Sequence, residues 1–166
     1  AHCTSGFPLR AFAGGGGTVP AAGGGHSFSR SGQLTNFGKY NPSTNPWTAL
    51  ANVPDTTNGL ASAVYAPNVG KLFVFGGDDA ASGVVVNTNR IYDPGSNTWT
   101  TGLAMPDVRA FMASGYYNGK IYLVGGYNTG SVTTAFLQTW EFTIATSTWL
   151  TKTSIPAANG FGGAAS

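Results

Sequence analysis

The chain runs to 166 residues, 42% apolar and 8% charged, with a formal charge of +2 from eight scattered bases and six scattered acids. This length and apolar share suffice for a sizeable core. The scatter of bases excludes a nucleic-acid interface, and no window approaches the roughly 18 consecutive apolar residues of a membrane span. Charge this sparse, against about 25% in ordinary soluble domains, leaves solubility to Ser, Thr, Asn and backbone amides, and it points to a secreted or surface-exposed protein. With 25 Gly and 9 Pro as punctuation and no capped helical period, the chain reads as all-β, built of many short strands. The lone Cys3 has no internal partner for a disulfide, and a chain opening at Ala1 is expected to be processed or part of a longer one.

In chain order, residues 1–6 read as a tail, and the stretch from Gly14 to Gly25 (GGGGTVPAAGGG) offers little to pack. Three landmarks then recur together. Trp47, Trp99 and Trp149 stand 52 and 50 residues apart, and each is followed by an apolar residue and a proline: Val53-Pro54, Met105-Pro106, Ile155-Pro156. Each is preceded by a turn, at Asn41-Pro42-Ser43, Asp93-Pro94-Gly95 and Ile144-Ala145-Thr146. Upstream lie the glycine pairs Gly24-Gly25, Gly76-Gly77 and Gly125-Gly126, whose second members precede the Trp by 22, 22 and 23 residues. The coincidence defines repeats at 7–54, 55–106 and 107–156, with 157–166 as the first strand of a further unit. The opening of the third repeat, Pro106-Asp107-Val108-Arg109-Ala110-Phe111, pairs with Pro8-Leu9-Arg10-Ala11-Phe12 in the first.

Within a unit the pattern predicts four strands, in the third copy roughly 110–117, 120–125, 135–143 and 147–152. Asn118-Gly119 between the first two is a hairpin signal, because a type I′ turn needs φ > 0 at both positions. Asp93 sits where Asp caps its own turn backbone.

A period near fifty that joins strand-Gly-Gly to a spaced Tyr and then a Trp resembles the kelch repeat. The resemblance covers nearly the whole chain, most closely 60–106 and 110–156. It implies a β-propeller, with one four-stranded antiparallel blade per repeat set around a channel. In that arrangement Gly76-Gly77 and Gly125-Gly126 end second strands. Tyr92 with Trp99, Tyr40 with Trp47, and Phe142 with Trp149 pack between blades. The third copy departs from the pattern, with Trp140-Glu141-Phe142 where the second has Arg90-Ile91-Tyr92, so Trp140 is the tryptophan expected at the surface. Three blades do not close a ring of about four to eight. Uncovered flanks would be aggregation hazards, so further blades of a longer chain or a second copy are expected to cover them.

No catalytic set is evident, and the expected class is a binding module, not an enzyme. His2 and His26 lack metal-ligand spacing. Asp78-Asp79 lacks the spaced oxygen ligands of a calcium loop, and Gly14–Gly17 lacks the Lys-Ser/Thr and helix of a phosphate loop. No metal or cofactor is expected. The resemblance instead nominates the channel mouth. The residue after each glycine pair gives His26, Asp78 and Tyr127, the Arg opening the first strand gives Arg10 and Arg109, and Asn58 and Asn159 stand near that place in other copies. Asp79 and Asn128 follow on the same loops. Such a ring suits a protein, particularly an acidic peptide, or a glycan. A structural subunit joined by blade edges, and a fragment of an extracellular sugar-active enzyme, are the alternatives.

Overall fold

A computed structural model of the chain describes residues 10–13, 36–40, 47–54, 60–79, 84–128 and 136–156, and every regular element among them is a strand. The first sheet holds β1 (Arg10–Ala13), β2 (Phe37–Tyr40) and β3 (Trp47–Ala49). The second repeat forms an antiparallel meander of β4 (Ser62–Ala66), β5 (Lys71–Phe75), β8 (Asn89–Asp93) and β9 (Thr98–Thr101), with a two-residue hairpin of β6 (Asp78–Asp79) and β7 (Val84–Val85) rising from the loop between β5 and β8. The third repeat forms the same meander from β10 (Ala113–Tyr117), β11 (Lys120–Val124), β12 (Thr139–Thr143) and β13 (Thr148–Lys152). These meanders are the blades the repeat predicts.

Local chemistry accounts for the turns. Asn118 and Gly119 take φ of 46° and 78°, the left-handed pair a type I′ hairpin requires. Asp93 Oδ1 accepts from Gly95 N at 2.8 Å, closing the expected turn. That bond, aided by Lys71 at 3.4 Å, holds the Asp93 carboxyl below its usual range. β5 is buried at four consecutive positions, Leu72 to Phe75, because a blade between two others is covered on both faces.

The register overturns one expectation about the first repeat. Tyr40 pairs with Trp47 as Tyr92 pairs with Trp99, so β2 and β3 are third and fourth strands. Arg10 then pairs with Tyr40 as Leu72 pairs with Tyr92, which makes β1 a second strand and not a first. Arg10 therefore takes the place of Leu72, not that of Arg109. The glycines that follow β1 in sequence are Gly14-Gly15, and the Gly24-Gly25 pair lies outside the described residues. The glycine-rich run offers several equivalent pairs, and 23 residues separate β1 from β2 against 13 between β5 and β8.

Side chains alternate across a strand, and each blade turns one set toward its predecessor. Tyr92 and Trp99 of the second blade pack on Phe37, with ring centroids 4.8 and 5.2 Å away, in a cluster with Val53, Leu72 and Val74. Phe142 and Trp149 of the third blade meet Phe75 of the second at 6.0 and 5.6 Å, in the larger cluster with Val64, Phe73, Ile121 and Leu123. β4 and β10 run side by side, and Ser62 Oγ donates to the Met112 carbonyl at 2.6 Å.

Two tryptophans exchange the roles expected of them. Trp140 is buried, because position 140 turns toward the second blade and its ring packs edge-on to Trp149 at 6.5 Å. Trp47 is 59% exposed, because its flank has no preceding blade among the described residues.

The two seams differ in polar chemistry. At the first, Asn97 Oδ1 accepts from both Tyr92 Oη and Ala51 N at 2.8 Å, and Trp99 Nε1 donates to Ala51 O at 2.8 Å. At the second, Phe142 and Ser147 replace Tyr92 and Asn97, and the buried Trp149 Nε1 has no hydrogen-bond partner among the described residues. Trp99→Phe is therefore expected to lose a buried hydrogen bond as well as ring area. It should cost about 1 kcal/mol more than Trp149→Phe, as read from urea midpoints at equal slope.

The far face of the third blade also departs from its sibling. Position for position, Phe73, Ile91 and Val64 of the second blade become Tyr122, Glu141 and Gly115. Glu141 is buried, with Lys120 Nζ at 2.6 Å and Lys152 Nζ at 3.4 Å, and it also accepts from the Tyr122 hydroxyl. Lys120 first, then Tyr122 and Lys152, hold its carboxyl below the ordinary glutamate range. A depressed carboxylate stabilises the fold fully above its ordinary pKa and progressively less as pH falls below it. The melting temperature is expected to drop between pH 5 and pH 3 (about the range in which glutamates titrate), and Glu141→Gln should flatten that drop. An identical acid limb in the variant would count against the cluster.

Candidate functional site

In an antiparallel meander the loop after the second strand and the link after the fourth emerge at the same edge. Residues 76–79, 84–88, 102–112, 125–128 and 136–138 therefore share one face, and of the nine nominated residues Asp78, Asp79, Arg109, Tyr127 and Asn128 are brought to it. His26, Asn58 and Asn159 lie outside the described residues. Arg10, by its register, belongs to a second strand.

The glycines build this face. Gly76 and Gly126 adopt φ of 62° and 85°, where L side chains are strained. A β-carbon at Gly76 would strike the Arg109 carbonyl, and one at Gly126 would come within 2.5 Å of the Ala110 carbonyl. Gly77 N donates to Arg109 O at 2.9 Å, and Arg109 N to Val86 O at 3.2 Å. The glycine loop of one blade is thus stitched to the segment that opens the next.

Arg109 is 1% exposed. Its Nη1 bonds Asp107 Oδ2 at 2.7 Å and the Val108 carbonyl at 2.9 Å, and its Nη2 reaches Gln138 Oε1 at 3.4 Å. The guanidinium carbon lies 3.5 Å from the centroid of Phe136 and 5.0 Å from that of Trp140, a geometry in which the ring faces attract the cation. Burial pulls the guanidinium pKa down, while Asp107 opposes the shift. The side chain expected to face a ligand instead clamps the loop of its own blade. Its buried Nε is without a hydrogen-bond partner among the described residues.

Tyr127 is buried as well. It exchanges backbone bonds with Ala110 at 2.9 and 3.0 Å, and its ring lies 5.3 Å from Phe111 in an apolar cluster with Val85. Asp78 and Asn128 are half-buried, and Asp78 and Asp79 pair with Val85 and Val84. The groups this face offers outward include ones the repeat pattern did not nominate: Val84 at 56% and Leu103 at 51% exposure, beside the half-exposed Asp107 carboxylate. Their signal in the sequence was weak, because a lone Val or Leu in a polar loop has no periodicity. Among the described residues no group of His, Cys, Asp and Glu is placed to hold a metal, and no helix is long and apolar enough to cross a membrane.

Arg109→Ala is expected to lower stability by about 2 kcal/mol, since it removes the cation from two rings and leaves Asp107 unpaired. Equilibrium denaturation checks this, and an unchanged midpoint would return Arg109 to the list of ligand contacts.

The kelch motif family model matches residues 70–105, from the turn before β5 through Met105. A kelch domain-containing protein of Sulfurisphaera tokodaii is 36% identical over 111 residues, which cover 63% of this chain and 15% of that protein. The kelch-like protein terF of Aspergillus terreus is 26% identical over 132 residues, covering 78% of this chain and 28% of that one. The solved structure of YjhT superposes with a TM-score of 0.63 at 22% identity, over 74% of this chain and 46% of YjhT. The chain spans less than a third of the length of either curated relative. Its antiparallel blades, the glycine pairs that end their second strands and the aromatic-Trp pairs wedged between them are those of a kelch-type β-propeller, with a kelch motif at 70–105 in the second blade.

Proposed function

We propose that the chain is a non-enzymatic protein-binding propeller segment that engages its partner through the face carrying residues 76–79, 84–88, 102–112, 125–128 and 136–138. Kelch repeats generally mediate protein interaction, and the observation that carries the reading here is the exposure of Val84 and Leu103 on that face. Apolar side chains held out on loops of a rigid sheet scaffold are the usual material of an interaction surface. Arg109 has its charge taken up by Asp107 and two rings, whereas Asp78 and Asp107 stay partly open to solvent. The preferred partner is therefore a peptide with apolar and basic side chains, the reverse of the acidic peptide that the repeat pattern suggests. The sparse surface charge supports placing the protein outside the cell or on its surface.

Panning a random peptide library on the immobilised chain tests the reading. Selected peptides are expected to carry Lys or Arg beside apolar residues, and to bind the Val84→Asp/Leu103→Asp double variant at least tenfold more weakly, about 1.4 kcal/mol. Peptides that bind the double variant equally well would remove this face from consideration. Hits confined to a glycan array would favour carbohydrate binding instead.

A further inference from the structure

The turn between β10 and β11 joins a reactive dipeptide to a geometry that holds it still. Asparagine followed by glycine deamidates readily, because no side chain on the glycine shields its backbone nitrogen. In that reaction the Gly119 nitrogen gives up its proton and attacks Asn118 Cγ. An N–Cγ bond forms, the Cγ–Nδ2 bond breaks, and the side-chain nitrogen leaves as ammonia with a proton in place of the one given up. Water then opens the succinimide at either carbonyl, to aspartate or isoaspartate. Asn118 is exposed, so water and base reach it. The fold opposes the attack at both ends of Gly119. Its N donates to Tyr116 Oη at 3.0 Å, so the proton that must leave is engaged. Its O accepts from Ile144 N at 3.2 Å. With φ of 46° and 78° the pair is set in the turn that places Tyr117 opposite Lys120, and turning the Gly119 nitrogen toward Cγ would break the bond to Tyr116.

We propose that Asn118 is a deamidation site kept closed by the Tyr116 hydroxyl, and that its conversion marks chains whose third blade has loosened from the second. Tyr116 and Ile144, the two residues that hold Gly119, both pack against the cluster that joins these blades, which includes Phe75, Ile121 and Phe142. The hydroxyl is therefore held at the turn by the same packing that seats the blade. When that seam opens, the Gly119 N–H is released to solvent and the attack can proceed. The product does not restore the original turn. Isoaspartate adds one methylene to the main chain, and a two-residue turn fixes strand register only at its own length. A transient opening is thus recorded as a lasting covalent change. None of these residues lies on the loop face, so the inference stands apart from peptide binding.

Mass spectrometry of tryptic digests tests the proposal on the intact chain aged in mildly alkaline buffer, and no ligand is required. Arg109 and Lys120 are cleavage sites, so Asn118 falls in the peptide 110–120, while the other Asn-Gly sites, Asn58 and Asn159, fall in separate peptides. The isolated peptide 110–120, which lacks the seam, supplies the unprotected rate. The folded chain is expected to convert Asn118 about tenfold more slowly than the peptide, the equivalent of about 1.4 kcal/mol. Tyr116→Phe keeps the ring and removes the acceptor. It should raise the rate at Asn118 about fivefold and leave Asn58 and Asn159 unchanged. Trp149→Phe, which loosens the seam without touching the turn, should also raise conversion at Asn118. A folded-chain rate equal to that of the peptide, or a Tyr116→Phe rate equal to the parent's, would overturn the proposal. So would a rise in Tyr116→Phe shared equally by Asn58 and Asn159, which would assign it to general unfolding. A Trp149→Phe rate no higher than the parent's would overturn the link to the seam.

Discussion

A four-stranded blade has two faces and no interior. Whatever apolar surface its strands carry can be buried only by a neighbour. In this chain that burial is done by one recurring contact, the aromatic of the third strand and the Trp of the fourth pressed onto the blade before. Phe142 and Trp149 on Phe75, and Tyr92 and Trp99 beside Leu72 and Val74 on the Phe37 side, are two instances. Burial of such side chains contributes about 2–3 kcal/mol apiece, whereas the exposed turns and outer strands contribute little. The packing of β4 beside β10 goes with that contact.

The loop face follows from it. Once two blades are seated at a fixed angle, the chain leaving one must pass close to the glycine pair of the other, and there is no room for a side chain. Gly76 meets the Arg109 carbonyl and Gly126 the Ala110 carbonyl. Backbone bonds from Gly77 to Arg109 and from Arg109 to Val86 then make the mouth a stitched structure and not an open ring of side chains. Arg109 and Tyr127 stand at positions from which a kelch-type pattern points into a channel. In this chain they are drawn inward, one by Asp107, Phe136 and Trp140, the other by Phe111 and Val85. What remains outside is the hairpin of β6 and β7 and the link that follows β9, with Val84 and Leu103 exposed on them.

The blades themselves were legible in the residues. Their landmarks are local: Asn118-Gly119 can only be a tight hairpin, Asp93 caps its own turn, and the Trp period reports a unit that repeats. Burial was less legible wherever it depended on a neighbour. Trp47 and Trp149 stand at the same repeat position, yet one is exposed and the other packed, because a residue's own context does not say whether another blade follows or precedes it. Trp140 looked like an outlier from the pattern and proved to be core, since alternation along β12 turns it toward the second blade. In the first repeat, several equivalent glycine pairs left the register open until strand pairing placed Arg10 opposite Tyr40.

By itself, then, the sequence determined an all-β chain of repeated four-stranded units with aromatic-Trp seams, because strand alternation, turn chemistry and period are short-range properties written into consecutive residues. Only the tertiary structure decided which side chains face a partner. Whether Arg109 meets a ligand or an aromatic pair, and whether Glu141 sits in a seam or on an open face, depends on the distances between segments far apart in the chain. The third blade illustrates the division. Lys120 to Trp149 announce a blade in one dimension, while the burial of Glu141 between Lys120 and Lys152 exists only in three.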